Sequence, residues 1–596
     1  MTRPALVRFA GILAACGLTA AADMKPATPA PAWDLYSDTW VATDALGRRL
    51  PGHAECGAVR KDRFVGIFYW TWHTHHAGRG PYDNSRILAE NSGDPQWGPI
   101  GAAHHWGEPE LGYYISTDAY VIRKHASMLS DAGVDVVIFD TTNPPFTFRE
   151  SYMALCQEYR RMRQEGNRTP QIAFLTPFGD PSGVVKTLYD DFYSKGLYEE
   201  LWFQWDGRPL IMADPARIED PAIKAFFTWR KPVPSYFTGP GGPNEWGWLE
   251  VYRQHAFCDT DGHVEQVTVG IAQNAVGGEL SAMSHKDGAR GRSWRDGARD
   301  SDPDAVNMGY NFAEQWKRAL ELDPEFVFIT GWNEWVAGRF TQWYKYTGKD
   351  SYYPDALFVD QYSHEYSRDI EPMKGGHTDS YYYQMIGYIR RYKGMRPPPQ
   401  GEGTRRIVID GDFADWRTVA VEYRDTIGDT MHRAHKGYGE TLYRDTTGRN
   451  DIVLCKTAHD AGHLYFYVKT QAPLTPHTDR NWMLLFLDTD QNGETGWEGY
   501  DYLVNYGAID GRTTMVKKTQ AGWNWKDVGR IACRAAGCEL ELEIPLELIK
   551  QKGGPAALDF HWADNIQKDG DIIEFAVSGD SAPNRRFNYR YEAVLP

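Results

Sequence analysis

A carboxylate framed by two indoles and an amide stands at Trp332-Asn333-Glu334-Trp335. The run before it, Glu325-Phe326-Val327-Phe328-Ile329, is β-branched and aromatic and reads as a buried strand. Parallel α/β barrels collect their chemistry at the carboxyl ends of such strands. Indole faces beside a carboxylate suit the apolar faces of sugar rings. Glycoside cleavage generally needs two carboxyl groups, one for the leaving oxygen and one for the opposite face. Glu334 is the first, as base or nucleophile. Asp140 is the second, because Val134-Asp135-Val136-Val137-Ile138-Phe139-Asp140 ends another buried strand and leads into the polar loop Thr141-Thr142-Asn143-Pro144-Pro145. Trp70, Trp72, Trp106, Trp332 and Trp335 would frame the sugar subsites, with His73, Asn143 and Asn333 as hydroxyl-binding groups.

Phe64 to Trp70, Asp140 and above all Gly331-Trp332-Asn333-Glu334-Trp335 resemble the barrel of glycoside hydrolase families 71 and 99, over roughly residues 60–394. In the family 99 endo-α-mannosidases the corresponding segment is Asn-Glu-Trp-x-Glu-Gly. Its first glutamate acts as a base on a sugar hydroxyl and its second as the acid. The resemblance places Glu334 on the base. The acid position holds Ala337, which cannot donate a proton, so the family mechanism does not carry over whole. Replacement acids stand in His104-His105-Trp106-Gly107-Glu108-Pro109-Glu110, where His105, Glu108 and Glu110 are the candidates. His73, His75 and His76 could ligate a metal, but no His-Glu-x-x-His helix accompanies them. Lys374, beside Gly375-Gly376 before a helix, could help hold a substrate carboxylate or sulfate.

The elements that must position these groups repeat as strand, loop and helix. Phe64 to Trp70 is a first strand, a helix runs from Ala119 to Ala132 and stops at Gly133, and a second helix runs from Arg149 to Gln164. Further strands are expected at 171–175, 209–212, 267–271, 326–329 and 357–359. That alternation predicts an α/β fold, a (β/α)₈ TIM barrel over 57–394, closed by a helix from Ser380 to Tyr392. No dinucleotide or P-loop glycine fingerprint follows the first strand. Residues 395–404 read as a linker. From 405 to 596 short alternating segments between Gly, Asp and Asn turns predict an all-β sandwich. Its opening, Ile409-Asp410-Gly411-Asp412-Phe413-Ala414-Asp415-Trp416, resembles carbohydrate-binding module family 9, which implies glycan binding through tryptophans. Trp482, Trp523 and Trp525 are candidates. Asp488, Asp490 and Asn492 alternate as the oxygen ligands of a calcium loop do, although Gly499 stands where an EF-hand ends.

A net charge of −16 over 596 residues excludes the basic face that nucleic acid or an anionic membrane would need. Arg3 and Arg8 precede a short apolar run and Leu13-Ala14-Ala15-Cys16, so residues 1–22 read as an export signal with a lipobox at Cys16. Residues 23–56 read as a tether and N-terminal extension. The mature protein would work outside the cytoplasm, in the periplasm, at the outer membrane or secreted. A membrane would be met only through the N-terminal lipid. Cys533 and Cys538, six residues from one another inclusive, could bridge a hairpin there.

These features predict an exported glycoside hydrolase acting on a poly- or oligosaccharide, needing no cofactor for catalysis and carrying structural calcium in its C-terminal domain. A polysaccharide lyase acting on uronates and a surface lipoprotein that binds glycans without cleaving them are the alternatives.

Overall fold

A computed structural model of the chain describes residues 33–74, 80–507, 510–551 and 553–595. The expected export signal, Cys16, the Pro/Ala spacer, His75 and His76 lie outside them.

The first half is a TIM-like barrel. Its parallel strands are β1 (Phe64–Tyr69), β2 (Val136–Asp140), β3 (Gln171–Leu175), β4 (Arg208–Met212), β5 (Thr228–Val233), β6 (Glu245–Gly247), β7 (Val264–Gly270) and β8 (Phe326–Thr330). They pair in the order β7-β8-β1-β2-β3-β4-β5-β6, every pairing parallel. A ninth strand, Phe257–Cys258, lies antiparallel on β7. Continuous backbone pairing lapses between β6 and β7. There the Gln266 side chain accepts from the Gly247 amide (3.0 Å) and donates to the Gly247 carbonyl (2.9 Å), so an amide side chain stands in for the missing ladder.

The helices follow the sequence signals. In α1 (Ala119–Asp131) the Asp118 carboxylate caps the Tyr120 amide, and Gly133, at φ +84°, ends the helix in the left-handed region. Helix α2 (Arg149–Gln164) buries Tyr152, Leu155, Cys156, Tyr159 and Met162, one stripe at helical spacing facing the strands. A further helix, α3 (Ser380–Lys393), packs Tyr381, Tyr382 and Ile386 against the barrel's wall. No described helix is long and apolar enough to cross a membrane.

Two barrel strands, β5 and β6, were not legible. β5 reads Thr-Trp-Arg-Lys-Pro-Val, and its Arg230 is buried because Glu265 of β7 accepts from its Nε (2.7 Å) while also accepting from the indoles of Trp205 (2.9 Å) and Trp246 (2.7 Å). A buried ion pair inside the barrel thus takes the place of an apolar pattern. Conversely, the strand expected at 357–359 is only a single bridge between Leu357 and Phe340, and Phe358 turns into a side cluster with Met283 and Ala337.

From Glu422 onward the chain is all antiparallel. Besides a separate hairpin, Arg433–Lys436 with Leu442–Asp445, the strands are β9 (Glu422–Arg424), β10 (Ile452–His459), β11 (His463–Thr470), β12 (Leu484–Asp488), β13 (Tyr502–Val504), β14 (Thr513–Ala521), β15 (Asn524–Ala536), β16 (Glu539–Pro545), β17 (Gly554–Asp564), β18 (Asp580–Ala582) and β19 (Tyr589–Leu595). They pair as β9-β10-β11-β16-β15-β14-β13-β12-β17-β18, with β19 also on β17. The sheet folds over a core that includes Phe466, Leu485, Leu542 and Phe560. All six described cysteines are free, including Cys533 and Cys538, so the expected bridge is not formed.

The two halves are joined by buried polar contacts. Glu110 takes a bidentate pair from Arg585 (2.6 and 2.8 Å), Asp118 accepts from Arg433 (2.8 Å), and Asp379 accepts from Arg586 (2.6 Å). The N-terminal extension is a packed strap: Trp40 lies edge-on against Phe587 and Tyr589, and Arg396 pairs with Asp34.

Breaking a buried pair leaves the remaining charge without a partner. Glu110→Ala should lower unfolding free energy by about 3–5 kcal/mol. Replacing both members, as Glu110→Leu with Arg585→Met, should restore most of that loss. Thermal and denaturant unfolding of the three variants checks both outcomes.

Candidate active site

The segment 331–335 follows β8 directly, at the carboxyl end of the barrel. A second segment, 368–371, holds it in place residue by residue. The Gly331 amide donates to the Arg368 carbonyl (3.1 Å), and the Ile370 and Glu371 amides donate to the Trp332 carbonyl (3.2 and 3.0 Å). The Asp369 carboxylate accepts from the Glu334 amide (2.5 Å) and from the Trp106 indole (2.6 Å). Glu371 accepts from the Trp335 indole (2.5 Å), from the Tyr114 hydroxyl (2.6 Å), and pairs with His125 Nε2 (2.9 Å).

At the centre, Arg368 donates to both Glu334 oxygens from Nε (2.8 Å) and Nη2 (2.9 Å), and also reaches Asp360 (3.3 Å). Both members of the main pair are almost fully buried. Burial pushes the Glu334 carboxyl up to about 8; Arg368 opposes that rise, while Asp360 adds to it. The fork-on-carboxylate geometry is that of an ionised pair. Asn274 and the Tyr236 hydroxyl, bonded to each other (2.8 Å), lie on the other side of Arg368. The Trp248 ring sits 5.6 Å from the guanidinium.

Asp140 ends β2, nearly fully buried, with Oδ1 accepting from the Thr142 amide (2.9 Å). Its backbone carbonyl accepts from the Trp72 indole (3.4 Å). Burial pushes its carboxyl up to about 6. Asp360 raises it further, and Thr142 and Arg368 work against the rise. Asp140 therefore shares an electrostatic neighbourhood with Arg368 and Asp360. Trp72 stacks on Phe148 (4.9 Å) and lies 4.3 Å from Trp70, and Phe146 beside them is 63% exposed. Trp72, Phe148, Phe178 and Trp248 are half-buried and form an aromatic rim.

Several residues predicted for the site fall elsewhere. Trp106 and Trp335 stack on each other at 4.7 Å in the interior, and Trp332 is buried against His125 and Tyr382. None of these three presents a face to a sugar, because the loop folds its indoles inward onto the polar network. Asn333 clamps the Trp70 backbone, accepting from its amide (2.8 Å) and donating to its carbonyl (3.3 Å), so its role is positional. Glu110 belongs to Arg585, which removes it as an acid. His105 is buried with Nδ1 unbonded, and burial and His104 hold it down to about 3, so it is neutral and no proton donor. His73 is likewise buried and held well down by burial. Glu108 is taken by Arg86 and Lys374, and Lys374 is thereby neutralised. Asn143 is exposed on the loop after β2. Ala337 lies in a short strand pair opposite His104.

Arg368 itself, Asp360, Trp248 and Phe148 were missed as site residues. The signal for Asp360 was available: it ends the apolar run Leu357-Phe358-Val359 as Asp140 ends its own. The C-terminal half also contributes, since buried Tyr438 packs edge-on against His105 at 4.7 Å. For the calcium loop, Asp488, Asp490 and Asp501 bring ligand oxygens within 4.8 Å of one another, while Asn492 accepts from the Glu494 amide (3.1 Å). Trp482 is buried, whereas Trp523 and Trp525 are half-buried, edge-on to each other at 5.7 Å, with Trp523 also 4.4 Å from Trp497.

No family model and no curated protein matches the chain. Two solved structures similar to it are both described as the GH99 endo-alpha-mannosidase from Bacteroides thetaiotaomicron, one of them in complex with BIS-TRIS-propane. Each is 15% identical. They cover 56% and 55% of this chain and 99% and 97% of their own length, with TM-scores of 0.33 and 0.30. Function is therefore argued from the site's own residues.

A raised carboxyl pKa means the folded state binds the proton more tightly than the unfolded chain does. Asp140 therefore favours folding at low pH, and that contribution is lost as pH rises from about 4 through about 6. The stability of Asp140→Asn relative to the parent should climb over that window, by about 2–3 kcal/mol, and level off above pH 7. Denaturant unfolding at pH 4, 5, 6 and 7 measures it.

Proposed function

We propose that the chain is a glycoside hydrolase acting on a poly- or oligosaccharide at the carboxyl end of the barrel. The observation that carries this reading is a group of three carboxyls beneath an aromatic rim: Glu334 and Asp360 on one arginine, Arg368, with Asp140 within its electrostatic reach. Two carboxyls in different protonation states are what glycosidic cleavage needs. Glu334, ionised by Arg368, takes the base or nucleophile role. Asp140, with its carboxyl raised toward 6, suits the acid role that Ala337 cannot fill, because a general acid works best near the ambient pH. Asp360, its side chain 41% exposed, faces outward from the pair and suits stabilisation of positive charge on the sugar. Trp72, Trp248 and Phe148 offer ring faces for the substrate. The loop at Asp488, Asp490 and Asp501 is assigned a structural calcium, and the N-terminal signal an exported, lipid-anchored location.

One observation favours a second reading. Glu334 and Asp140 are both nearly fully buried, which suits a glycan-binding barrel that no longer turns over. The lyase reading loses its carboxylate clamp, since Lys374 is already paired with Glu108.

Mass spectrometry of products from a polysaccharide panel decides between them. Hydrolysis adds one water to each product, and Glu334→Gln and Asp140→Asn should each lower kcat/KM at least ~100-fold. Trp72→Ala should chiefly raise KM. Glycan binding without any product, unchanged in Glu334→Gln, would establish the binding reading instead. Unsaturated products lacking the water would establish a lyase.

A further inference from the structure

Away from the barrel mouth, three aspartates from separate parts of the C-terminal domain converge in the interior. Asp425 follows β9, Asp429 lies in the turn after it, and Asp580 opens β18. One carboxylate oxygen from each falls within 4.8 Å of the others, and all three side chains are buried. Asp425 is fully buried, and neither of its carboxylate oxygens has a hydrogen-bond partner. One oxygen of Asp429 also lacks one. Asp580 accepts from the Ile452 amide (2.6 Å) and lies at hydrogen-bond range of Asp429. Asp451 stands beside them, its carboxylate spent on the Gly428 amide (3.1 and 2.9 Å).

Nearby cations offset only part of this charge. Arg123 of α1 is committed to Glu158 (2.9 Å), Glu165 (2.7 Å) and the carbonyls of Ile427 and Gly428. Lys124 attracts Asp429 and Asp580 electrostatically, yet forms no ion pair within 4 Å among the described residues, and its ammonium lies 5.8 Å from the Tyr120 ring. Asp131 of α1 adds a further carboxyl, bonded to Asn584 (3.1 Å). An isolated buried carboxylate is among the least favourable groups a fold can hold, and here three face each other.

We infer that Asp425, Asp429 and Asp580 form a binding site for a hard divalent cation of the calcium type, distinct from the loop at Asp488. The donor set is all carboxylate oxygen, which selects calcium, magnesium or manganese over softer metals. Calcium–oxygen bonds of about 2.3–2.6 Å place opposed ligands about 4.6–5.2 Å apart, the scale of this cluster. Two positive charges offset most of the three carboxylates and satisfy the orphaned oxygens of Asp425. The ion would tie the turn after β9 to β18, whose neighbour Asn584 bonds Asp131 of the barrel. It is thus a structural ion at the junction of the two halves.

The test uses the full chain, stripped with EGTA and titrated with CaCl₂ by calorimetry and thermal unfolding, alongside Asp490→Lys and Asp425→Leu. Asp490→Lys puts a cation in the exposed loop and leaves the interior untouched, so it should still bind calcium and still melt higher with calcium than in EGTA. Asp425→Leu should bind one calcium fewer per chain than the parent. If Asp490→Lys neither binds calcium nor gains thermal stability from it, the inference is overturned and the aspartates hold protons instead. Equal stoichiometry in Asp425→Leu and the parent would overturn it as well. Should Asp425→Leu fail to fold, the Asp490→Lys titration alone decides.

Discussion

The ion pair between Glu334 and Arg368 is the constraint around which the carboxyl end of the barrel is built. Two opposite charges removed from water are tolerable only with near-ideal geometry and full hydrogen bonding around them. Segment 368–371 supplies that. It lies along 331–335 and engages the Gly331 amide, the Trp332 carbonyl and the Glu334 amide, and its carboxylates take the indoles of Trp106 and Trp335. The neighbouring network of Glu371, His125, Tyr114 and Tyr69 completes the seal. A polar layer so fully connected fixes one arrangement of the loop and leaves it little freedom to relax.

The same logic explains why the antiparallel domain is more than an appendage. Its arginines 433, 585 and 586 fill carboxylates on the barrel, and Tyr438 packs beside His105 within the shell of the first barrel loop. The N-terminal strap wedges Trp40 into the seam. Interfaces between domains in one chain are often loose and polar. This one is polar but buried and paired, so the two halves constrain each other.

The aromatic richness of the chain divides along burial. The tryptophans around Glu334 serve the interior, where the indole N–H groups of Trp106 and Trp335 satisfy buried carboxylates. The rings left half-open are Trp72, Phe148, Phe178 and Trp248, brought together from loops far apart in sequence. Proximity to Glu334 in sequence was therefore a poor guide to which rings stay open at the barrel mouth. Along a loop, adjacent side chains point in different directions, and packing decides which of them turn inward.

Sequence alone determined the class of fold: periodic apolar strands alternating with amphipathic helices force a parallel barrel, and alternating short segments force an antiparallel domain. It also singled out Glu334 and Asp140, because carboxylates ending buried strands can emerge only at the barrel's carboxyl end. It could not show that Arg368 and Asp360 join them, that Glu110 is consumed by Arg585, or that β5 hides a buried arginine. Each of those depends on a partner far away in the chain, Glu110 and Arg585 being 475 residues apart. Periodicity reports which face a residue turns to the core. Only tertiary packing decides which charge it meets there, and so whether a carboxyl is a reagent, a strut or a ligand.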